Sequence, residues 1–259
     1  MILQEFDPCQ SAIINPEDVH PDIKNLPKVA VSCFSSATFE RMLGELGGEH
    51  VVNVSFANMK VPVYRTIYQG MEVALFMSYV GAAGCVGLIE DIFAMGTEKL
   101  VLFGTCGVMD AAIQDCSIII PNRAVRDEGT SYHYAPASDE IEANPKYIDT
   151  FVHILEQYGC KYHIGKTWSN DGFYRETRSK VARRKEQGCI CVDMECSAVA
   201  ALAQFRKKEV FQFFYAADNL DSEQWDERSL SNDAKLEEKD RIAFLALELA
   251  KAMQEEACS

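Results

Sequence analysis

Two acids one residue apart, Asp193 and Glu195, stand in the run Val192-Asp193-Met194-Glu195-Cys196-Ser197-Ala198. The segment around them, residues 189–203, is otherwise apolar and holds no basic residue to pair with either. A carboxylate entering an apolar interior costs several kcal/mol unless it is hydrogen-bonded or paired. A carboxylate held in such a place suits the recognition of a sugar diol, from whose hydroxyls it accepts hydrogen bonds. The competing reading turns Glu195 outward at the start of a helix, where an acid also favours the dipole. Three more chemistry-bearing stretches follow apolar, β-branched runs: Gly104-Thr105-Cys106-Gly107, Asp171-Gly172-Phe173-Tyr174 and Ala217-Asp218-Asn219.

These stretches need elements to position them. Residues 28–34, 51–54, 61–68, 71–79, 99–103, 117–121, 163–169, 189–192 and 210–217 read as strands, with a tight turn at Gln69-Gly70. Residues 36–46, 86–95, 146–158, 176–187, 195–205 and 234–255 read as helices. The first carries Ser35 or Ser36 as N-cap and stops at Gly47-Gly48. Strands alternating with helices predict an α/β fold: a single domain with a central mixed, largely parallel sheet flanked by helices. Residues 1–27, rich in Pro and Asp, read as an irregular lead-in, and residues 28–259 as the domain. In open α/β sheets ligands bind beyond the carboxyl ends of the strands, where all four stretches are expected to converge.

Composition narrows the partners. The 259 residues carry a formal charge of −14, so the surface field disfavours nucleic acid and anionic membrane. No run reaches the roughly 18 to 20 apolar residues of a membrane span. The N-terminus has no basic n-region, and a cytoplasmic location is expected. The ten cysteines sit mostly in apolar runs such as Cys189-Ile190-Cys191 and read as reduced, buried, small hydrophobes. There is no Cys-x-x-Cys pair and the five histidines are scattered, so no metal site is expected.

Taken together, Gly104-Thr105-Cys106-Gly107, Val192-Asp193-Met194-Glu195, Asp218 and the stretch 127–134 (Asp-Glu-Gly-Thr-Ser-Tyr-His-Tyr) resemble the nucleoside phosphorylase superfamily. The branch is that of hexameric purine nucleoside phosphorylase and uridine phosphorylase, and the resemblance runs from about residue 28 to about residue 250. It implies cleavage of the N-glycosidic bond of a purine ribonucleoside by phosphate, giving free base and ribose 1-phosphate. Glu195 then matches the carboxylate that binds the ribose hydroxyls, and Met194 the methionine lying against the sugar. Phe173 matches the aromatic that packs on the base, with Cys106 and Gly107 beside the substrate and Gly104 and Thr105 at the phosphate. Asp218 matches the acid that protonates purine N7, and Arg228 stands near the position of an arginine that assists it. The resemblance further implies phosphate as co-substrate, no metal or organic cofactor, and a homo-oligomer built from dimers, with a hexamer as one form. Uridine enzymes carry a Gln/Arg insertion after the stacking Phe and lack the acid at the Asp218 position. Both differences favour a purine, although Arg175 and Arg178 leave a carbonyl reader available.

The pattern breaks at the anion. The usual Gly-Asp-Pro turn with its arginine falls on Ser32-Cys33-Phe34-Ser35-Ser36-Ala37, putting Cys33 at the glycine and Ala37 at the arginine. A second arginine is replaced by Leu102, and a third, lent by a neighbouring subunit, falls near Met59 and Lys60. Arginine binds phosphate bidentately, so these losses weaken an anion site heavily. Arg41, Lys60 and Arg65 are candidates to rebuild it. Hydrolysis by water, with Glu128 as a candidate activating base, is one alternative. Uridine-type specificity and a nucleoside-binding paralogue without activity are the others. His20 is a weak candidate for the sugar 5′ end.

Overall fold

The computed structural model describes residues 2–20, 22–231 and 233–256. In chain order the elements are α1 (Pro16–Val19), β1 (Val29–Cys33), α2 (Ser36–Leu46), β2 (Glu49–Ser55), β3 (Lys60–Tyr68), β4 (Met71–Met77), α3 (Ala82–Ala94) and β5 (Lys99–Val108). They continue with β6 (Ile118–Asp127), β7 (Glu140–Glu142), α4 (Ile148–Gln157), β8 (Tyr162–Asn170), α5 (Arg178–Glu186), β9 (Cys189–Asp193), α6 (Cys196–Arg206), β10 (Glu209–Asn219) and α7 (Leu236–Glu256). Short 3-10 turns occur at Ile2–Gln4, Thr130–His133 and Phe173–Arg175. The lead-in is thus not wholly irregular.

β5 is the hub of the sheet. Its first half runs parallel to β1, nearly its whole length runs parallel to β10, and its last two residues pair antiparallel with β9. β10 pairs with β6, β6 with β8 and β8 with β9. The strands β5, β10, β6, β8 and β9 therefore close on themselves, while β1, β4, β3 and β2 extend from β5 as an open wing. The expected mixed sheet is present, but its antiparallel share is larger than expected. The β2–β3 and β3–β4 hairpins and the closing pairs supply it. Gln69 and Gly70 both take positive φ, the turn whose twist suits a two-residue hairpin.

Alternation assigns the layers. Val29, Val31, Val101, Phe103, Phe211 and Phe213 pack with residues of α2, α4 and α7 on one face. Ala30, Leu100 and Leu102 pack with α3 and α6 on the other. Ser35 caps α2, its hydroxyl accepting from the Thr38 N–H at 3.3 Å, and Gly47 ends the helix at φ 67°. The nine described cysteines are free, and Cys258 lies outside the described residues. No helix among the described residues is long and apolar enough to cross a membrane.

Candidate active site

Three strands run further than their apolar patterns predict. β5 continues through Gly104-Thr105-Cys106-Gly107 to Val108, β6 to Asp127, and β10 through Asp218 to Asn219. The glycine-bearing motif is therefore strand, not a loop after it. The glycines are there for close approach. A Cβ on Gly104 would meet the Phe34 ring at 2.6 Å. One on Gly107 would lie 2.4 Å from Leu220 and 3.2 Å from Asp218 Oδ1. In β10 the register slips between Ala216, opposite Cys106, and Asp218, opposite Gly107. This bulge re-aims Asp218 into the space above Gly107.

That space is a cavity of about 770 Å³. Of the residues singled out from the sequence, Thr105, Cys106, Gly107, Phe173, Met194, Glu195 and Asp218 line it, contributed by β5, β10 and the turns after β8 and β9. Gly104 lines an adjoining corner of about 120 Å³ together with Phe34, Ser35, Thr38 and Thr105. The Cys106 side chain turns away, its thiol donating to the Tyr215 carbonyl at 3.8 Å, so the position offers backbone to a ligand. Phe173 is 52% exposed at the mouth and packs on Tyr174, ring centroids 4.1 Å apart.

The two acids of the opening motif have different tasks. Asp193 is buried and accepts four hydrogen bonds: Thr167 Oγ1 at 2.9 Å, Ser169 Oγ at 2.8 Å, and the backbone N–H groups of Glu195 and Cys196 at 2.7 and 2.6 Å. It knits β8 and β9 to the start of α6. Glu195 is also buried, at 6% exposure, which removes the outward reading. Its Oε1 accepts the Gly81 N–H at 2.6 Å, and it makes no side-chain cap of α6. Burial raises both carboxyl groups, with the neighbouring charge adding to Glu195. Asp193 has four donors that favour its anion, so Glu195 holds the proton, its pKa pushed up to about 8.

Asp218 is half-buried and burial raises its pKa; the Trp225 indole N–H, donating to Oδ2 at 2.8 Å, opposes that rise. Trp225 was not anticipated, although it is the one aromatic in the charged stretch 219–228. Glu176 was missed too. It lines the same cavity, accepts from Asn170 Nδ2 at 3.3 Å, and has its pKa pushed up to about 7, chiefly by burial.

Arg228 reaches Asp218 through its charge, which favours the Asp218 carboxylate, and not through contact. It donates to the Ile113 carbonyl at 2.9 Å and to Asp226 at 3.2 Å, lies outside the cavity lining, and makes no hydrogen bond to Asp218. A positive φ of 44° at Arg228 turns the chain there. Glu128 accepts from the Ser131 N–H and the Ser197 hydroxyl, both at 2.9 Å, and joins β6 to α6 away from the cavity. His20 faces Asp91 at 3.5 Å. Of the cations proposed for the anion, Arg41 is paired with Asp240 and Arg65 donates to the Asn25 carbonyl at 2.7 Å. Neither these two nor Lys60 lines the cavity. Arg178 is the one cation among its lining residues, against the carboxyls of Glu176, Asp193, Glu195 and Asp218. Its guanidinium is spent on the backbone carbonyls of Leu220, Ser222 and Glu223.

A partly closed mixed sheet thus carries, at its strand ends, a cavity lined by the carboxyls of Glu176, Asp193, Glu195 and Asp218, a usual setting for a small-molecule site in α/β proteins. The chain belongs to the phosphorylase superfamily, whose family model matches residues 16–253. A guanosine phosphorylase from Halorubrum lacusprofundi is 26% identical over 149 residues, 57% of this chain and 61% of that protein. A uridine phosphorylase from Thermococcus kodakarensis is 30% identical over 107 residues, 41% of this chain and 39% of that protein. The chain therefore spans between two fifths and three fifths of the length of these relatives. Among solved structures, uridine phosphorylase from Vibrio fischeri superposes with a TM-score of 0.76 at 21% identity, covering 96% of this chain and 97% of its own. Purine nucleoside phosphorylase from Toxoplasma gondii, in complex with immucillin-H, superposes with a TM-score of 0.74 at 17% identity, covering 90% and 98%. At these identities the superpositions speak for the fold.

Proposed function

We propose that the protein cleaves the N-glycosidic bond of a purine ribonucleoside with phosphate, releasing the base and ribose 1-phosphate. The observation that carries this reading is the placing of Asp218 and Glu195, two burial-raised acids on different strand ends, in the lining of one 770 Å³ cavity. In the reaction the base stacks on Phe173 and the sugar lies over Met194. Asp218 gives its proton to N7 as the C1′–N9 bond breaks, so the base leaves neutral. Glu195 enters as the acid; hydrogen bonds donated by the 2′ and 3′ hydroxyls favour its carboxylate, and that charge offsets the positive charge that develops on the ribosyl ring. A phosphate oxygen then closes on C1′. The corner beside Gly104 is where phosphate would enter: Ser35 and Thr38 at the start of α2 and Thr105 of β5 line it, and the buried Thr38 hydroxyl has no partner. A helix N-terminus with hydroxyls is an anion site even without arginine, though a weak one. The reading calls for no metal or organic cofactor and includes assembly into a homo-oligomer.

A second reading, hydrolysis, is favoured by one observation: Phe34 stands in the corner against Gly104, and no unengaged cation lines the cavity. Base release from inosine, guanosine, adenosine and uridine, measured with and without phosphate, separates the two. Phosphorolysis predicts release that needs phosphate and saturates only at high concentration. In that case Ala37→Arg, half-buried in the first turn of α2, is expected to lower the phosphate KM about tenfold, or 1.4 kcal/mol, for one added charge-assisted contact. Release indifferent to phosphate in both proteins would leave water as the acceptor.

Glu176 supplies a further expectation for the base. A carboxylate near the purine ring accepts from a ring N–H, which 6-oxopurines have at N1 and adenine lacks. Glu176→Gln is expected to lower kcat/KM for guanosine and inosine by about tenfold or more while sparing adenosine. An equal loss on all three would give Glu176 a role in folding rather than in selection.

A further inference from the structure

A second cavity, of about 480 Å³, lies between α6, the segment 142–147 and the beginning of β10. It shares no lining residue with the first cavity. Asp218 stands at one end of β10 and this cavity at the other. Gln212 lines it, is 2% exposed, and leaves both its side-chain oxygen and nitrogen without a partner. Its backbone is fully used: the N–H donates to Asn144 Oδ1 at 2.8 Å, and the carbonyl accepts from Asn144 Nδ2 at 2.6 Å. A buried amide left unpaired costs about 1–3 kcal/mol.

Strain gathers at the same place. Asn144, Tyr147 and Lys207, with φ of 51°, 69° and 55°, are non-glycine residues held in the left-handed region, and all three line this cavity. Such backbone persists where the surroundings over-determine it, commonly at ligand clamps. Val199, Ala200 and Ala203 from α6 and Val210 from β10 give part of the lining a small apolar surface, and Lys146, Lys208 and Glu209 add charged side chains to the rest. The volume falls in the range of small-molecule sites, about 300–1,000 Å³.

We propose that this cavity is a second small-molecule site, which takes a planar heterocycle presenting a hydrogen-bond donor beside an acceptor on one edge, paired with the Gln212 amide. The glutamine amide offers one acceptor and an adjacent N–H, so it complements such an edge with two parallel hydrogen bonds. The alanine and valine wall suits the flat faces of a ring. Nucleobases are the commonest molecules of this description, and the site takes one as a free base.

Uracil is the probe and 1,3-dimethyluracil, which has no N–H, the control. Calorimetric titration of the whole protein is expected to show uracil binding that dimethyluracil does not reproduce. Two variants locate it. Gln212→Leu removes the amide, and Ala203→Phe fills the cavity from α6 while leaving Gln212 in place. Each is expected to weaken uracil binding at least tenfold, and Ala203→Phe carries the test if the buried Gln212→Leu change impairs folding. A crystal soaked with uracil should place the ring against Gln212. Uracil binding that survives both variants, equal binding of dimethyluracil, or a soaked crystal holding only solvent in this cavity would overturn the proposal.

Discussion

Replacing Asp218 by Asn is expected to cut purine nucleoside cleavage by about 10²- to 10⁴-fold, the usual contribution of a positioned general acid. Asn matches Asp in shape, still accepts the Trp225 indole N–H and still fits above Gly107, so the fold should survive, as a melting curve would check. The loss should fall mainly on kcat, because the proton is transferred in the transition state. The pH profile sharpens the test. Asp218 acts only when protonated, and burial raises its pKa, so activity is lost as pH rises through that raised value. The Trp225 N–H favours the carboxylate and holds the pKa back. Trp225→Phe should therefore move the basic limb of the profile to higher pH. An Asp218→Asn protein with near-parental kcat would remove this residue as the acid, and an unmoved limb in Trp225→Phe would break its link to Trp225.

What could be read from the sequence was what repeats along the chain or breaks the local chemistry. β1, β9 and α2 were legible to within a residue or two because an apolar run or an N-cap serine marks their ends. The acids of the motif after β9 were legible because charge in an apolar segment has to be explained. β5 and β10 were read too short because glycine and aspartate look like strand terminators. Here Gly104 and Gly107 are admitted by neighbours that leave no room for a Cβ, and Asp218 by a bulge, and both are tertiary facts. The closure of β5, β10, β6, β8 and β9 was invisible for the same reason, since each pairing joins segments with no local signal for the other.

The site divides along the same line. Met194, Glu195, Phe173, Thr105 and Asp218 converge because each sits at or beside the end of a strand. Counting along the chain from Asp218 brings Arg228 near enough for its charge to favour the Asp218 carboxylate, but not into the cavity lining, because the irregular loop between them follows a path set by the Asn219–Asp226 bridge. Glu176 and Trp225 carry no motif, and they become candidates only when folding brings them to the cavity. The unequal roles of Asp193 and Glu195 could not be read either. They depend on hydroxyls from Thr167 and Ser169 on β8, which serve Asp193 and leave Glu195 with only backbone donors.

That inequality makes Glu195 the position where function and stability should oppose each other most. Glu195→Gln keeps the side-chain volume and an acceptor for the Gly81 N–H, but it removes the charge offered to the ribosyl ring. Activity should fall about 10²- to 10³-fold, the range for loss of one preorganised electrostatic partner. Stability should move the other way, with a definite pH signature. The folded-state pKa, pushed up to about 8, lies above the ordinary 4.5, so the folded protein prefers the protonated acid. The stability it confers is complete below about pH 4.5, declines as pH rises toward 8, and is gone above that. A separation of this size corresponds to a few kcal/mol, at about 1.4 per unit. At pH 8 to 9 the Gln variant, which cannot ionise, should melt several degrees higher than the parent, given about 2–4 °C per kcal/mol for a chain of this length. At pH 5 the two should melt close together. Parallel melting curves across that range would mean that Glu195 ionises freely in the folded protein, and the carboxyl would then be solvated rather than held in reserve for the sugar.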